Sequence, residues 1–185
     1  MSKLIFLTGF MGVGKSTVGQ ILAQKLSREF SDLDQLIERQ EGLKVFEIFQ
    51  KHGEAYFREK ESLVLHGLCR GNSQVIALGG GAFLKESHRE EMKKSGLSIY
   101  LKASFPVLCE RLRGQDFKQR PLLQQIDVLE DSVELQQLLK QREGFYEQAD
   151  WIISTDGKSP QDVALEIYSW IKDIEAQIQE GARLA

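Results

Sequence analysis

Nine consecutive residues can do chemistry by themselves: Gly9-Phe10-Met11-Gly12-Val13-Gly14-Lys15-Ser16-Thr17. They fit the pattern G-x-x-x-x-G-K-[ST], a loop that wraps nucleotide phosphates. Gly9, Gly12 and Gly14 let the backbone curl until successive N–H groups point inward, where side chains would block a phosphate. In such a loop the Lys15 ammonium reaches the β- and γ-phosphates and the Ser16 hydroxyl ligates Mg²⁺. The following helix turns its positive N-terminal end toward the same anion. Gly12, Val13, Gly14, Lys15, Ser16 and Thr17 are therefore expected contacts of ATP.

Three further groups have the right types for an acceptor site. Asp32-Leu33-Asp34 puts carboxylates at i and i+2 at the end of an expected strand, so both face one crevice. Asp32 can hold Mg²⁺, directly or through water, and Asp34 can take a proton or hydrogen bonds from an acceptor hydroxyl. Asp34 can also simply cap the next helix. Arg58 and Glu61 are three apart on a helix and can pair. A guanidinium aimed into a crevice matches the two oxygens of a substrate carboxylate, and Phe49 and Phe57 can wall its apolar face. Surface pairing of Arg58 and core packing of the phenylalanines are the plainer alternatives. Gly79, Gly80 and Gly81 follow an apolar run, a costly choice unless backbone must approach a ligand closely.

Arg113-Gly114-Gln115-Asp116-Phe117-Lys118-Gln119-Arg120-Pro121 is polar and charged, as a mobile lid would be. Proline keeps Arg120 extended, so it can swing onto the phosphates, and Arg113 can lie flat on an adenine ring. Solvated charge is the alternative for each. His52, His66 and His88 lack ligand-spaced partners and read as surface or packing residues.

Elements must hold these groups in place. Strand-like runs at Leu4–Thr8, Phe30–Leu33, Val75–Leu78, Leu97–Leu101 and Trp151–Thr155 alternate with helical stretches. The helices are expected at Ser16–Arg28, Gln35–Glu41, a short turn ended by Gly53, a longer helix to about Gly71, Phe105–Leu112 and Asp131–Gln148. A final helix opens with Ser159 as N-cap and Pro160 at its first position, and loses its pattern from about Gln177. The alternation implies an α/β fold with a parallel sheet between helical layers. Ligands in such sheets bind at the carboxyl ends of the strands, where the candidate residues cluster.

The 185 residues suit one domain, with no linker or repeat inside it. A net charge of −3 gives no reason to expect nucleic acid or a membrane surface as partner. No apolar run approaches the ~20 residues of a membrane span, and Leu4–Thr8 is too short for a signal peptide core. Cys69 and Cys109 are far apart and read as reduced thiols, as in a cytoplasmic protein.

Taken in order, these stretches resemble the shikimate kinases, small P-loop kinases of the nucleoside-monophosphate-kinase fold. The residues that carry the resemblance are 9–17, Asp32-Leu33-Asp34, Gly53-Glu54-x-x-Phe57-Arg58, Gly79–Gly81, Arg120-Pro121-Leu122-Leu123 and Arg142. The match spans about residues 3–172. It implies a three-layer α/β/α fold with sheet order 2-3-1-4-5, and phosphorylation of the shikimate 3-hydroxyl by ATP with Mg²⁺. It also implies a monomer. By position, Asp34, Arg58, Gly79, Gly80, Gly81 and Arg142 would bind shikimate, with Asp34 orienting or deprotonating the hydroxyl. Lys15 and Arg120 would stabilise the transferring group, Ser16 and Asp32 would hold Mg²⁺, and Arg113 with the loop from Lys158 to Pro160 would hold adenine. The substrate region would be about 33–61 and the lid about 113–123. Many relatives have proline two residues after the substrate arginine, where this chain has Gly144. Two readings compete: a gluconate or nucleoside-monophosphate kinase of the same fold, and a related domain that binds ligand without turnover.

Overall fold

In the computed structural model, residues 4–113 and 133–183 are described. β1 (Leu4–Thr8) leads through the glycine loop into α1 (Lys15–Leu26), and β2 (Glu29–Asp32) into α2 (Leu33–Glu41) and α3 (Val45–Cys69). β3 (Gln74–Ala77) is followed by a 3₁₀ turn at Ala82–Leu84, α4 (Glu86–Ser95), β4 (Gly96–Lys102) and α5 (Phe105–Arg113). After the undescribed segment come α6 (Val133–Tyr146), β5 (Trp151–Ser154) and α7 (Pro160–Arg183).

All strand pairs are parallel and the sheet order is β2-β3-β1-β4-β5, as the family resemblance implied. β1 lies at the centre. Its Leu-Ile-Phe-Leu-Thr sequence is buried at every position, which a strand covered by helices on both faces requires. α1 packs on α7 at one side, while α2, α3 and α4 form a second helical group. One continuous core of strand residues and inward helix faces joins them.

The boundaries differ from expectation where caps decide. α1 stops at Leu26 because Ser27 turns left-handed, at φ 53°, and Ser27 and Arg28 return their N–H groups to Gln24 and Ala23. α2 begins at Leu33, not Gln35, because Asp32 caps it by accepting from Gln35 N at 3.2 Å. Within α3 the two helical stretches expected around Gly53 are present, separated by a kink at Gly53, where the backbone leaves helical geometry at φ 83° and ψ 169°. Only glycine takes that conformation without strain. Ser159 and Asp162 cap α7 reciprocally at 3.2 Å each way. α7 continues past Gln177 to Arg183, although its apolar pattern is lost there.

Candidate active site

The carboxyl ends of β1, β2 and β3 open on one cavity of about 520 Å³, within the usual range for small-ligand sites. The phosphate loop forms one side through Gly12, Gly14, Lys15, Ser16 and Thr17. Gly12 and Gly14 have φ of 80° and 101°, the left-handed region that the motif anticipates. Lys15 donates to the carbonyls of Gly9 at 2.9 Å and Phe10 at 3.1 Å, so its ammonium lies over the loop. Val13 is buried beneath the loop rather than lining the cavity.

Ser16 donates its hydroxyl to Asp32 Oδ2 at 2.6 Å, bringing the two expected Mg²⁺ ligands to one point. Asp34 faces the same cavity from the first turn of α2. Helix geometry thus replaces the strand alternation expected for this pair. The capping alternative falls to Asp32, not Asp34. Asp34 Oδ1 is buried with no hydrogen-bond partner among the described residues. Burial pushes the Asp34 carboxyl up to about 7; the Asp32 and Glu61 carboxylates add to this, while Lys15 and Arg58 pull it back.

Two arginines also line the cavity, Arg58 and Arg142. Arg58 pairs with buried Glu61 at 3.1 Å, as their spacing on a helix anticipates, and with Glu54 at 3.0 Å. Burial raises the Glu61 carboxyl and Arg58 holds it back. Phe49 and Phe57 line the cavity with ring centroids 5.0 Å apart. Arg142 is buried, lines the cavity and donates to the Gly80 carbonyl at 3.4 Å. α6 runs unbroken through Gly144, so the missing proline leaves Arg142 on a regular helix.

The glycine triplet is explained by its neighbours. A Cβ at Gly79 would collide with the Asp34 carboxylate, and one at Gly81 would lie 2.5 Å from Arg58 Nη1. Absent side chains are what let both functional groups sit against the loop. Gly81→Ala is therefore expected to push the flexible guanidinium aside with little loss of stability. Its effect should be a rise of about tenfold in the acceptor KM, read by steady-state kinetics beside a thermal melt.

Other expected residues lie elsewhere. Arg120 and most of the lid fall outside the described residues. Arg113 ends α5 with an exposed side chain, and Lys158 pairs with Glu166 at 2.6 Å on the surface beside Pro160. None of the three lines the cavity. A residue missed from sequence is Arg111. Its guanidinium donates to the Val13 carbonyl at 3.1 Å and to Thr155 at 2.9 and 3.0 Å, tying the phosphate loop to the end of β5. His88 is buried between Ser62 and the Ala82 carbonyl at 2.9 Å each, a packing role as read from sequence.

Comparison with known proteins agrees with this geometry. The family model described as shikimate kinase matches residues 11–172. A shikimate kinase of Geobacter sulfurreducens is 41% identical over 169 residues, 91% of each chain. One from Persephonella marina is 40% identical, over 91% of this chain and 98% of that one. The solved structure of shikimate kinase from Acinetobacter baumannii in complex with shikimate superposes with a TM-score of 0.85 at 38% identity, covering 92% and 93% of the two chains.

Proposed function

Since the chain belongs to the shikimate kinase family, we propose how its own residues divide the labour of that reaction. It is an ATP:shikimate 3-phosphotransferase, acting in the shikimate pathway. The acceptor oxygen forms a bond to the γ-phosphorus, the bond from that phosphorus to the bridging oxygen of ADP breaks, and the hydroxyl proton leaves. In the division proposed here, Asp34 accepts that proton. Its carboxyl titrates near 7, where a base is both available and strong enough to act.

Lys15 and the loop N–H groups hold the phosphates, and Arg120 neutralises the group in transit. Arg58 and Arg142 grip the shikimate carboxylate, while Gly79, Gly80 and Gly81 offer backbone to its ring hydroxyls. Gly12, Val13, Gly14 and Thr17 complete the nucleotide cradle, with Arg113 and the turn from Lys158 to Pro160 toward adenine. Ser16 and Asp32 fit Mg²⁺, because hard oxygens 2.6 Å apart suit an ion that keeps most of its shell for water and phosphate. Bound there, the ion would offset charge on the β- and γ-phosphates. The chain is taken to work as a cytoplasmic monomer; among the described residues no helix is long and apolar enough to cross a membrane.

The observation that supports this division best is the buried, unpartnered oxygen of Asp34, set in one cavity with the phosphate loop and Arg58. A coupled assay of ADP release tests it. Shikimate should be turned over, and gluconate and nucleoside monophosphates at least about a hundredfold more slowly, since neither presents a carboxylate and an acceptor hydroxyl at fixed separation on one ring. Comparable turnover of gluconate would overturn the acceptor assignment, and binding of shikimate without ADP release would overturn the catalytic one.

A further inference from the structure

One phenol stands directly behind two of the acceptor groups. Tyr146 ends α6 with 0% of its surface exposed. Its hydroxyl donates to the Gly80 carbonyl at 2.6 Å, joining positions 66 residues apart in the chain. Arg142, one helical turn earlier, reaches the same carbonyl at 3.4 Å. The hydroxyl of Tyr146 and the guanidinium of Arg142 therefore converge on one carbonyl, that of Gly80. The ring cannot wander, because it packs against buried Tyr100 with centroids 5.3 Å apart.

We infer that Tyr146 is a positioning residue for the acceptor, its hydroxyl fixing both the Gly80–Gly81 peptide and the Arg142 guanidinium. The peptide unit is planar, with carbonyl and N–H pointing opposite ways. Holding the Gly80 carbonyl toward α6 turns the Gly81 N–H the other way, and Gly79, Gly80 and Gly81 all line the cavity. The hydroxyl holds that carbonyl at 2.6 Å, while Arg142 touches it only at 3.4 Å and through one nitrogen, leaving the rest of its donor fork for a carboxylate. Without the hydroxyl, the carbonyl would draw Arg142 onto itself or rotate the peptide. Either change weakens the grip on the acceptor and leaves the phosphate side alone. This role rests on the reading of Arg142 and the glycines as shikimate contacts.

Tyr146→Phe removes one oxygen and keeps the ring stack. The KM for shikimate is expected to rise about fivefold, with kcat at saturating shikimate and the KM for ATP held within about twofold. Tyr100→Phe deletes a hydroxyl from the same ring pair, away from Gly80, and should leave all three constants unchanged. Because KM does not depend on the folded fraction, partial unfolding of Y146F leaves the comparison readable. An unchanged shikimate KM in Y146F, or a fall only in kcat, would overturn the role. Equal KM rises in both variants would do the same, since packing alone would then account for them. A parent enzyme inactive on shikimate would instead remove the assignment beneath it.

Discussion

Asp34→Asn is expected to lower kcat by about 10²–10⁴-fold while ATP binding, measured by calorimetry, stays as in the parent. The amide has nearly the same shape but cannot take the hydroxyl proton, and it leaves the phosphate loop itself unaltered. Near-normal turnover in this variant would remove the base from the mechanism. The pH dependence has a definite sign. Asp34 must be ionised to act, and burial first, then Asp32 and Glu61, raise its pKa to about 7. The kcat/KM of the parent should therefore climb with pH to a half-maximum near 7, and the residual activity of D34N should not follow that curve.

Stability moves the opposite way. The folded chain holds the Asp34 proton more tightly than the unfolded chain, whose carboxyl titrates near the ordinary 3.8. Neutral Asp34 is fully tolerated below that value, and folding loses free energy as pH rises from there through about 7. D34N carries no charge to bury. It should melt above the parent at pH 8, and the gap should close toward pH 4. A variant less stable than the parent at pH 8 would contradict the burial argument.

Arg58→Ala is expected to raise the KM for shikimate roughly thirtyfold or more, because losing a charge-assisted contact of this kind costs about 2–5 kcal/mol. The KM for ATP should change little. Truncation also leaves Glu61 buried without its ion partner, which lowers stability by itself. Arg58→Lys separates the two effects. The ammonium keeps a positive charge beside Glu61 but lacks the planar fork that matches two carboxylate oxygens. R58K should melt close to the parent and still show a raised shikimate KM. An unchanged KM in both variants would take Arg58 out of the acceptor site.

The phosphate loop was legible because its constraint is local: the glycines, Lys15 and Ser16 are consecutive, and their flanking strand and helix carry the expected periodicities. The sheet order was not legible from periodicity and came from resemblance alone. Asp32 and Asp34 were placed correctly in the cavity for the wrong geometric reason. The chain turns helical at Leu33, so one carboxylate caps the helix that carries the other. Arg58 and Glu61 were readable as a pair, since helical spacing fixes their contact. Arg111 escaped notice because Val13 lies 98 positions away, with a backbone carbonyl as partner, and no local pattern marks such a contact. Tyr146 is different. It stands four after Arg142, a spacing that puts both on one helix face, and that signal was present but unread.

The cavity is assembled from two nearly separate parcels of chain. The parcel proposed for the nucleotide is β1, the loop and the start of α1; the one proposed for the acceptor is the run from Asp32 through Glu61, together with Gly79–Gly81 and Arg142. The Ser16–Asp32 bond stitches one to the other. Retooling such a scaffold for a different alcohol would call for redrawing α2, α3 and one turn after β3, while the phosphate-handling half is inherited whole.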